Sequence, residues 1–393
     1  MSQQLISRSD DLRRLRDDGY EIEVRDGFLL IGHVPYVNSE AKVKYGTLVS
    51  TLTLAGDVTA KPDTHVTTFA GEAPCDRHGQ ILSRILIGSD RQHLADGLDV
   101  HHMFSSKPAA GYADYYDKMT TYVNIISGPA RARDPAATPQ TFRVIDDPDP
   151  DSVFEYMETA SSRAGITKAT AKLRVGKIAI VGLGGTGSYV LDLIAKTPAG
   201  EIHLFDGDTF LQHNAFRAPG APSIEELREA PGKATYFQQR YAKMRRNIVA
   251  HEVYIDASNV DLLRDMNFVF LALDDGAARR LLVERLQAWG TSFVDVGMGI
   301  YETSGSLGGL VRVTTSTPQQ HDHVWERDRI PFGQAGPEND YRQNIQIADL
   351  NALNAALAVI RWKKLTGFYL DLEREHFAVY EIDGDNLLNE DQN

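Results

Sequence analysis

The first third of the chain carries short runs in which apolar and polar residues alternate. YEIEV at 20–24 alternates, Asp26-Gly27 is a turn signal, and FLLIGHV resumes the strand pattern. GTLVSTLTL at 46–54 is a further strand. Around 105–118 and 128–152 the pattern dissolves into stretches rich in Pro, Gly, Ala and Asp, SSKPAAGY and GPARARDPAATPQ followed by DDPDPD, which read as loops. The second stretch is the expected linker, giving a β-rich α+β domain over 1–150 and a second domain over 151–393. SVFEYMETASSRAGITKATAKL then reads as a helix that Asp151 or Ser152 caps.

From Val175 the pattern changes. VGKIAIVGLGG runs apolar straight into glycines, as a buried parallel strand does. TGSYVLDLIAKTPAG has helical spacing. EIHLFDGD, NFVFLALDD, TSFVDVGMGI and GLVRVTT are further strands, with RRLLVERLQAWG a helix between two of them. IADLNALNAALAVIRWKKL is a long helix with apolar residues at Leu350, Leu353, Leu357 and Ile360, and HFAVYEID is a closing strand. This alternation predicts an α/β fold: a Rossmann-like, doubly wound, mostly parallel sheet.

Composition narrows the partners. The 393 residues suit two domains, and a net charge of −13 argues against a broad nucleic-acid surface. The charged start, MSQQLISRSDDLRRLRDDG, lacks the apolar core of a signal peptide, and no run spans a bilayer; a cytoplasmic protein without a membrane partner is expected. A single cysteine, Cys75, excludes an internal disulfide and a multi-thiolate zinc site.

Gly182-Leu-Gly184-Gly185-Thr-Gly187 fits G-x-G-x-x-G between a strand and a helix. Glycines let backbone N–H groups approach phosphates, and a helix N-terminus favours their charge. Asp206 ends the next strand, where an acid binds ribose hydroxyls. This much fits NAD as well as ATP. Four features lie downstream: a second acid, Asp208; Asn214 and Arg217 in QHNAFR; Lys233 in a Gly-Lys-Ala step; and Asp274-Asp275 at the end of an apolar strand. Each has a plain alternative, with Arg217 a surface arginine, Lys233 a solvated helix residue and Asp274 a helix cap.

GLGGTGS, FDGDTFLQHNAFR, GKA and LALDDGAAR together resemble the adenylation domain of the ThiF, MoeB and ubiquitin-activating-enzyme family, over roughly 160–380. The resemblance implies an ATP-dependent adenylyltransferase. It implies Asp206 on the ribose, Asn214 and Arg217 on the triphosphate, Lys233 against the phosphates and Asp274 holding Mg²⁺. An arginine before the glycine strand reaches a partner subunit's nucleotide in this family; Arg163 is the best match and Arg174 the second. A homodimer is therefore expected. A carboxylate nucleophile needs no general base, so catalysis is positioning and charge neutralisation.

The chain departs from the family in three ways. It has no CxxC pair. It has no cysteine in 301–330, so a thioester on this domain is excluded, and the acyl acceptors left are hydroxyls at Thr314, Thr315, Ser316 or Thr317 beside His321 or His323, or Cys75. Ala218 stands where many relatives have glutamine. The N-terminal domain resembles the uncharacterised domain ahead of ThiF domains in bacterial ubiquitin-like operons. Cys75-x-x-His78 with His101-His102 is a loose metal candidate, and FSSKPAAGYADYY reads as an exposed loop suited to partner contact.

The leading expectation is adenylation of the C-terminal carboxylate of a ubiquitin-like or sulfur-carrier protein, with a conjugating-enzyme-like protein as a further partner. Other readings are adenylation of another carboxylate or nucleoside substrate, a nucleotide-binding scaffold without catalysis, and an NAD-dependent oxidoreductase.

Overall fold

The computed structural model describes residues 2–145, 152–333 and 345–389. The chain divides into two compact units, 1–148 with 158–165, and 149–157 with 166–393. Asp151, the expected helix cap, lies outside the described residues.

The first unit begins with α1 (Ser2–Arg8) and α2 (Asp10–Asp17). Strands β1 (Ile22–Arg25), β2 (Phe28–Val37) and β3 (Val43–Thr51) follow, then a short hairpin of β4 (Leu54–Ala55) and β5 (Val58–Thr59). Next come β6 (Val66–Ala70), β7 (Leu86–Gly88), a second hairpin of β8 (Gln92–Ala95) and β9 (Leu98–Val100), and β10 (His102–Ser105). Six strands form an antiparallel sheet in the order β1-β2-β3-β6-β10-β7. Asp26 and Gly27 both have positive φ, 48° and 81°, as the two-residue turn between β1 and β2 requires.

The residues read as loops at 115–118 and 128–133 are helical: α3 runs Tyr115–Arg133. Asp114 caps it, accepting from the Asp117 N–H at 2.8 Å. Tyr115, Met119, Tyr122, Val123 and Ile126 line one face and pack on Leu29, Ile31, Leu48 and Phe69. That burial outweighs Gly128 and Pro129, and the proline removes one backbone donor near the helix end without stopping it. The aromatic segment is accordingly not an exposed loop, since Tyr112 and Tyr115 are buried.

The helix expected over 152–173 does not form as one element. Residues near Phe154 are extended, with a β-bridge between Phe154 and Arg245. Two single-turn helices follow, α4 (Ala160–Arg163) and α5 (Thr167–Thr170), separated by Gly165 at φ +70°.

In the second unit, β11 (Lys177–Val181) leads into α6 (Gly185–Ala195), and β12 (Glu201–Phe205) into the short helices α7 (Gln212–Ala215) and α8 (Ile224–Glu229). Then come α9 (Lys233–Tyr241), β13 (Ile248–His251), β14 (Phe268–Leu271), α10 (Gly276–Trp289) and the long hairpin β15 (Phe293–Thr303)–β16 (Ser306–Ser316). α11 (His323–Glu326), α12 (Ala348–Leu365), β17 (Phe377–Glu381) and β18 (Asn386–Asn389) complete it. The sheet order is β13-β12-β11-β14-β15-β16-β17-β18, parallel through β15 and antiparallel beyond.

Alternate side chains of β11 face opposite layers. Ile178 and Ile180 join α6, α9 and α12 on one side; Ala179 and Val181 join α10 on the other. Chain order reverses between β11 and β14, and at such a switch point the strand ends leave a crevice for a ligand. α12 closes one flank of that crevice. The face it buries is Asn351, Asn354, Ala355, Ala358, Val359 and Trp362, not the stripe of Leu350, Leu353, Leu357 and Ile360. Among the described residues no helix is long and apolar enough to cross a membrane.

Candidate functional site

The crevice at the switch point is a cleft of about 790 Å³, lined by Gly182, Gly184, Gly185, Asp206, Asp208, Arg217, Lys233 and Asp274 among others. Five chain segments spread over more than ninety residues thus meet at one set of strand ends.

The glycines divide the work. Gly182 has φ +90°, and a Cβ there would lie 2.4 Å from the Ala272 carbonyl oxygen. A Cβ on Gly187 would lie 1.9 Å from the Gly182 oxygen, so Gly187 is a packing residue outside the cleft wall. A Cβ on Gly185 would meet the Asn351 amide at 1.9 Å. Gly184 alone of the four has nothing within 4 Å of that position. It is the N-cap of α6, and its open backbone gives phosphate oxygens close approach to the helix N-terminus.

Asp206 is 8% exposed. Its Oδ2 accepts from the Leu183 N–H at 2.6 Å and its Oδ1 from the Asp208 N–H at 2.9 Å, so it fastens the glycine loop. Burial pushes its carboxyl above the usual carboxylate range, against the backbone donors and Lys233. A carboxylate has lone pairs enough for ribose hydroxyls as well. Lys233, at the start of α9, places Nζ 2.6 Å from Asp208 Oδ2 and 3.8 Å from Asp206 Oδ1. The Lys233 and Tyr254 hydrogen bonds hold the Asp208 carboxyl below its usual range.

Asp274 lies at the end of β14 on the cleft wall. The cap of α10 is the next residue: Asp275 accepts from the Ala277 N–H at 2.8 Å and the Ala278 N–H at 3.1 Å. Arg217 lines the cleft, and its Nε is buried with no hydrogen-bond partner among the described residues. A guanidinium nitrogen without a partner among the described residues, in a cleft that also holds an open glycine and a lysine, is an arrangement an anion satisfies. ATP fits this cleft on those grounds. Mg²⁺ fits too, since Asp274 offers one hard carboxylate and phosphates offer the rest.

Several expected site residues fall elsewhere. Asn214 is 4% exposed and outside the cleft wall; its Oδ1 accepts from the Leu211 N–H at 2.8 Å and closes α7. Arg163 belongs to the first unit, with its guanidinium 5.5 Å over the Phe142 ring, and does not line this chain's cleft.

The hydroxyl acceptors are also corrected. Thr314, Thr315 and Ser316 sit in β16 between two neighbouring strands, at 0%, 0% and 1% exposure, and none lines the cleft. Thr314 Oγ1 donates to the Arg329 carbonyl, and His323 Nε2 is bonded to the Thr315 carbonyl at 3.0 Å, so this histidine fastens a strand. The strand was legible through Thr315; pairing on both edges makes its hydroxyls interior.

Cys75 is fully buried in the first unit, donates to the Ala73 carbonyl at 3.3 Å, and has its thiol pushed up by burial. It offers neither a thiolate nor access. No group of three or more His, Cys, Asp and Glu among the described residues is arranged to hold a metal, which removes the Cys75, His78, His101 and His102 site.

Four cleft residues escaped the sequence reading. Tyr254 hydrogen-bonds Asp208 and lies against Gly207, where a Cβ would meet its ring at 2.7 Å. Arg279 pairs with the fully buried Asp295 at 3.2 Å. Asn351 clamps α6 to the Arg217 segment, accepting from Thr186 Oγ1 at 3.1 Å and donating to the Arg217 carbonyl at 3.2 Å. Asn354 lies one turn further on. Two asparagines three residues apart in a helix rich in alanine and leucine were the available signal.

The fold and the cleft define a nucleotide-binding Rossmann-like domain with acids at two strand ends. A ThiF family model matches residues 159–361, just over half the chain, and the chain belongs to the ThiF family. A domain of unknown function, DUF6791, matches residues 10–159. No curated protein matches. Among solved structures, the chain is similar to E. coli MccB with ATP, at 16% identity and a TM-score of 0.45 over 56% of this chain and 65% of that one. PaaA is similar at 16% identity and a TM-score of 0.44, over 57% and 75%. The MccB match thus leaves about a third of that chain without a counterpart.

Proposed function

We propose that the second unit adenylates a carboxylate with ATP, and that the carboxylate is the C-terminus of a ubiquitin-like or sulfur-carrier protein in a bacterial conjugation pathway. The observation that supports the reading is that Arg217, Lys233 and Asp274 line one cleft with the open Gly184 backbone, with the Arg217 Nε unpartnered among the described residues.

In this reading Asp206 receives the ribose, and the backbone of Gly184 and Gly185 receives phosphate. A carboxylate oxygen attacks the α-phosphorus, the bond to the bridging oxygen of the β-phosphate breaks, and pyrophosphate leaves. Arg217 and Lys233 neutralise the phosphoryl charge that grows during attack; one well-aimed donor of this kind lowers the barrier by roughly 2.7–4 kcal/mol. Lys233 exchanges Asp208 for phosphate when the nucleotide enters. Mg²⁺ held by Asp274 would screen the phosphates and stabilise the leaving pyrophosphate.

In this reading the acyl adenylate passes to an acceptor outside this chain, and the burial of Cys75, Thr314, Thr315 and Ser316 supports that route. A homodimer in which Arg163 completes the partner subunit's site belongs to the same reading, as does a cytoplasmic location. ATP–pyrophosphate exchange tests the reading: exchange that depends on a ubiquitin-like protein and collapses in Asp274→Ala is expected, and NAD binding without ATP binding would overturn it.

A further inference from the structure

Asn354 is 1% exposed and lines the cleft. Its Nδ2 donates to the Gly297 carbonyl at 3.0 Å. Because that carbonyl only accepts, the bond decides which end of the amide faces which way, and the acceptor Oδ1 is the end left over. Oδ1 is buried and has no hydrogen-bond partner among the described residues. Asn351, one turn earlier, has both ends of its amide engaged. The two asparagines therefore differ: one is a clamp, the other carries an unused acceptor.

Sheet order says what lies opposite that acceptor. Asp206 ends β12, the glycine loop follows β11, and Gly297 is on β15, two strands beyond β11 on the far side from β12. Two strand spacings are roughly 10 Å. A nucleotide with its ribose at Asp206 and its phosphates over the glycine loop projects whatever is joined to the α-phosphorus toward β14 and β15. A carbonyl oxygen repels phosphate and carboxylate oxygens, so its ligand there is a donor. Val296 and Met298 beside it are apolar, and the Arg312 guanidinium next to Gly297 donates to Asp295 and Thr314.

The geometry points to Asn354 as a specificity residue that receives the backbone N–H of the substrate's terminal residue, one carbon away from the activated carboxyl. A peptide or protein C-terminus, as proposed above, carries that N–H; a simple fatty or aryl acid does not. Gly297 belongs to the same device. A Cβ on it would meet the Arg312 guanidinium at 2.6 Å, so the glycine leaves room for the Arg312–Asp295 pair beside the carbonyl that Asn354 holds.

The inference rests on the adenylation reading, and one experiment separates the two. Binding of 5′-O-[N-(N-acetylglycyl)sulfamoyl]adenosine, its N-acetylsarcosyl counterpart and ATP to the full chain is measured by calorimetry. The sarcosyl compound differs by a methyl that removes the N–H. The unmodified protein is expected to bind the glycyl form roughly tenfold more tightly, the scale of one lost hydrogen bond to a buried acceptor. In Asn354→Ala the ratio falls to about one; Asn354→Leu, which fills the same space, gives the same result if the alanine variant folds poorly. Equal affinities in the unmodified protein, a preference that survives both substitutions, or ATP binding with no binding of either analogue overturns the proposal while the adenylation reading stands. Absence of ATP binding overturns that reading, and this inference with it.

Discussion

Asp206 fastens the glycine loop to the neighbouring strand through the Leu183 N–H, at 2.6 Å, across a gap of 23 residues in sequence. The residue expected to hold ribose is therefore also the one that shapes the phosphate loop. Asp206→Ala removes both functions. ATP affinity is expected to fall at least tenfold and protection of the Leu183 amide from hydrogen exchange to drop; calorimetry and exchange mass spectrometry check the two together. A loss of ATP binding with the Leu183 amide still protected would show that the fastening is unimportant.

Asp274 and Asp275 are adjacent acids with separate roles. Asp275→Ala removes the cap of α10 and is expected to lower stability by roughly 0.5–2 kcal/mol with adenylation retained. Asp274→Asn, which keeps the side chain's shape, is expected to abolish Mg²⁺-dependent pyrophosphate exchange while the protein stays folded at the assay temperature. Thermal unfolding and exchange assays on the pair check this, and reversed outcomes would exchange the two assignments.

Gly187 and Gly184 predict opposite failures. Gly187→Ala drives a methyl against the Gly182 carbonyl and is expected to yield unfolded or insoluble protein. Gly184→Ala meets nothing, so the protein folds, but the methyl occupies the space where phosphate approaches. Soluble yield and ATP binding distinguish them.

Lys118 is fully buried in the first unit, with Nζ donating to Ser50 Oγ at 2.8 Å. Burial pulls its pKa from 10.5 down to about 8. Between these values the unfolded chain binds the proton and the folded one does not, so stability rises with pH through that window. Below about pH 8 both states are protonated, and the folded state carries the full cost of a buried ammonium. Lys118→Met is expected to stabilise the protein at pH 7 by roughly 2 kcal/mol, after loss of the Ser50 bond, and to flatten the rise between pH 8 and 10.5. Denaturant unfolding at pH 7, 8.5 and 10 checks the slope.

The second unit was legible because its strands are buried on both faces, and such strands show in sequence as unbroken apolar runs ending in glycine or aspartate. The cleft residues at those ends, Gly184, Asp206, Asp208, Lys233 and Asp274, were legible for the same reason: each sits within a few residues of a strand or helix end. Long-range pairing was not. Tyr115 to Arg133 look broken until their apolar face meets β2, and nothing local announces that β15 and β17 pair on both sides of β16 and bury Thr314 to Ser316. Asn214, expected on the triphosphate, has its Oδ1 engaged by the Leu211 N–H and lies outside the cleft wall. Tyr254 reaches Asp208 across 46 residues with no motif to announce it. Local sequence determined which segments become strands and which strand ends carry charge. Only the tertiary structure decided which polar side chains those strand ends enclose, because burial and partner choice depend on residues far away in the chain. Asn351 and Asn354 show the difference most plainly: two asparagines on one helix face, one with its amide fully engaged, the other with a buried acceptor that has no partner among the described residues.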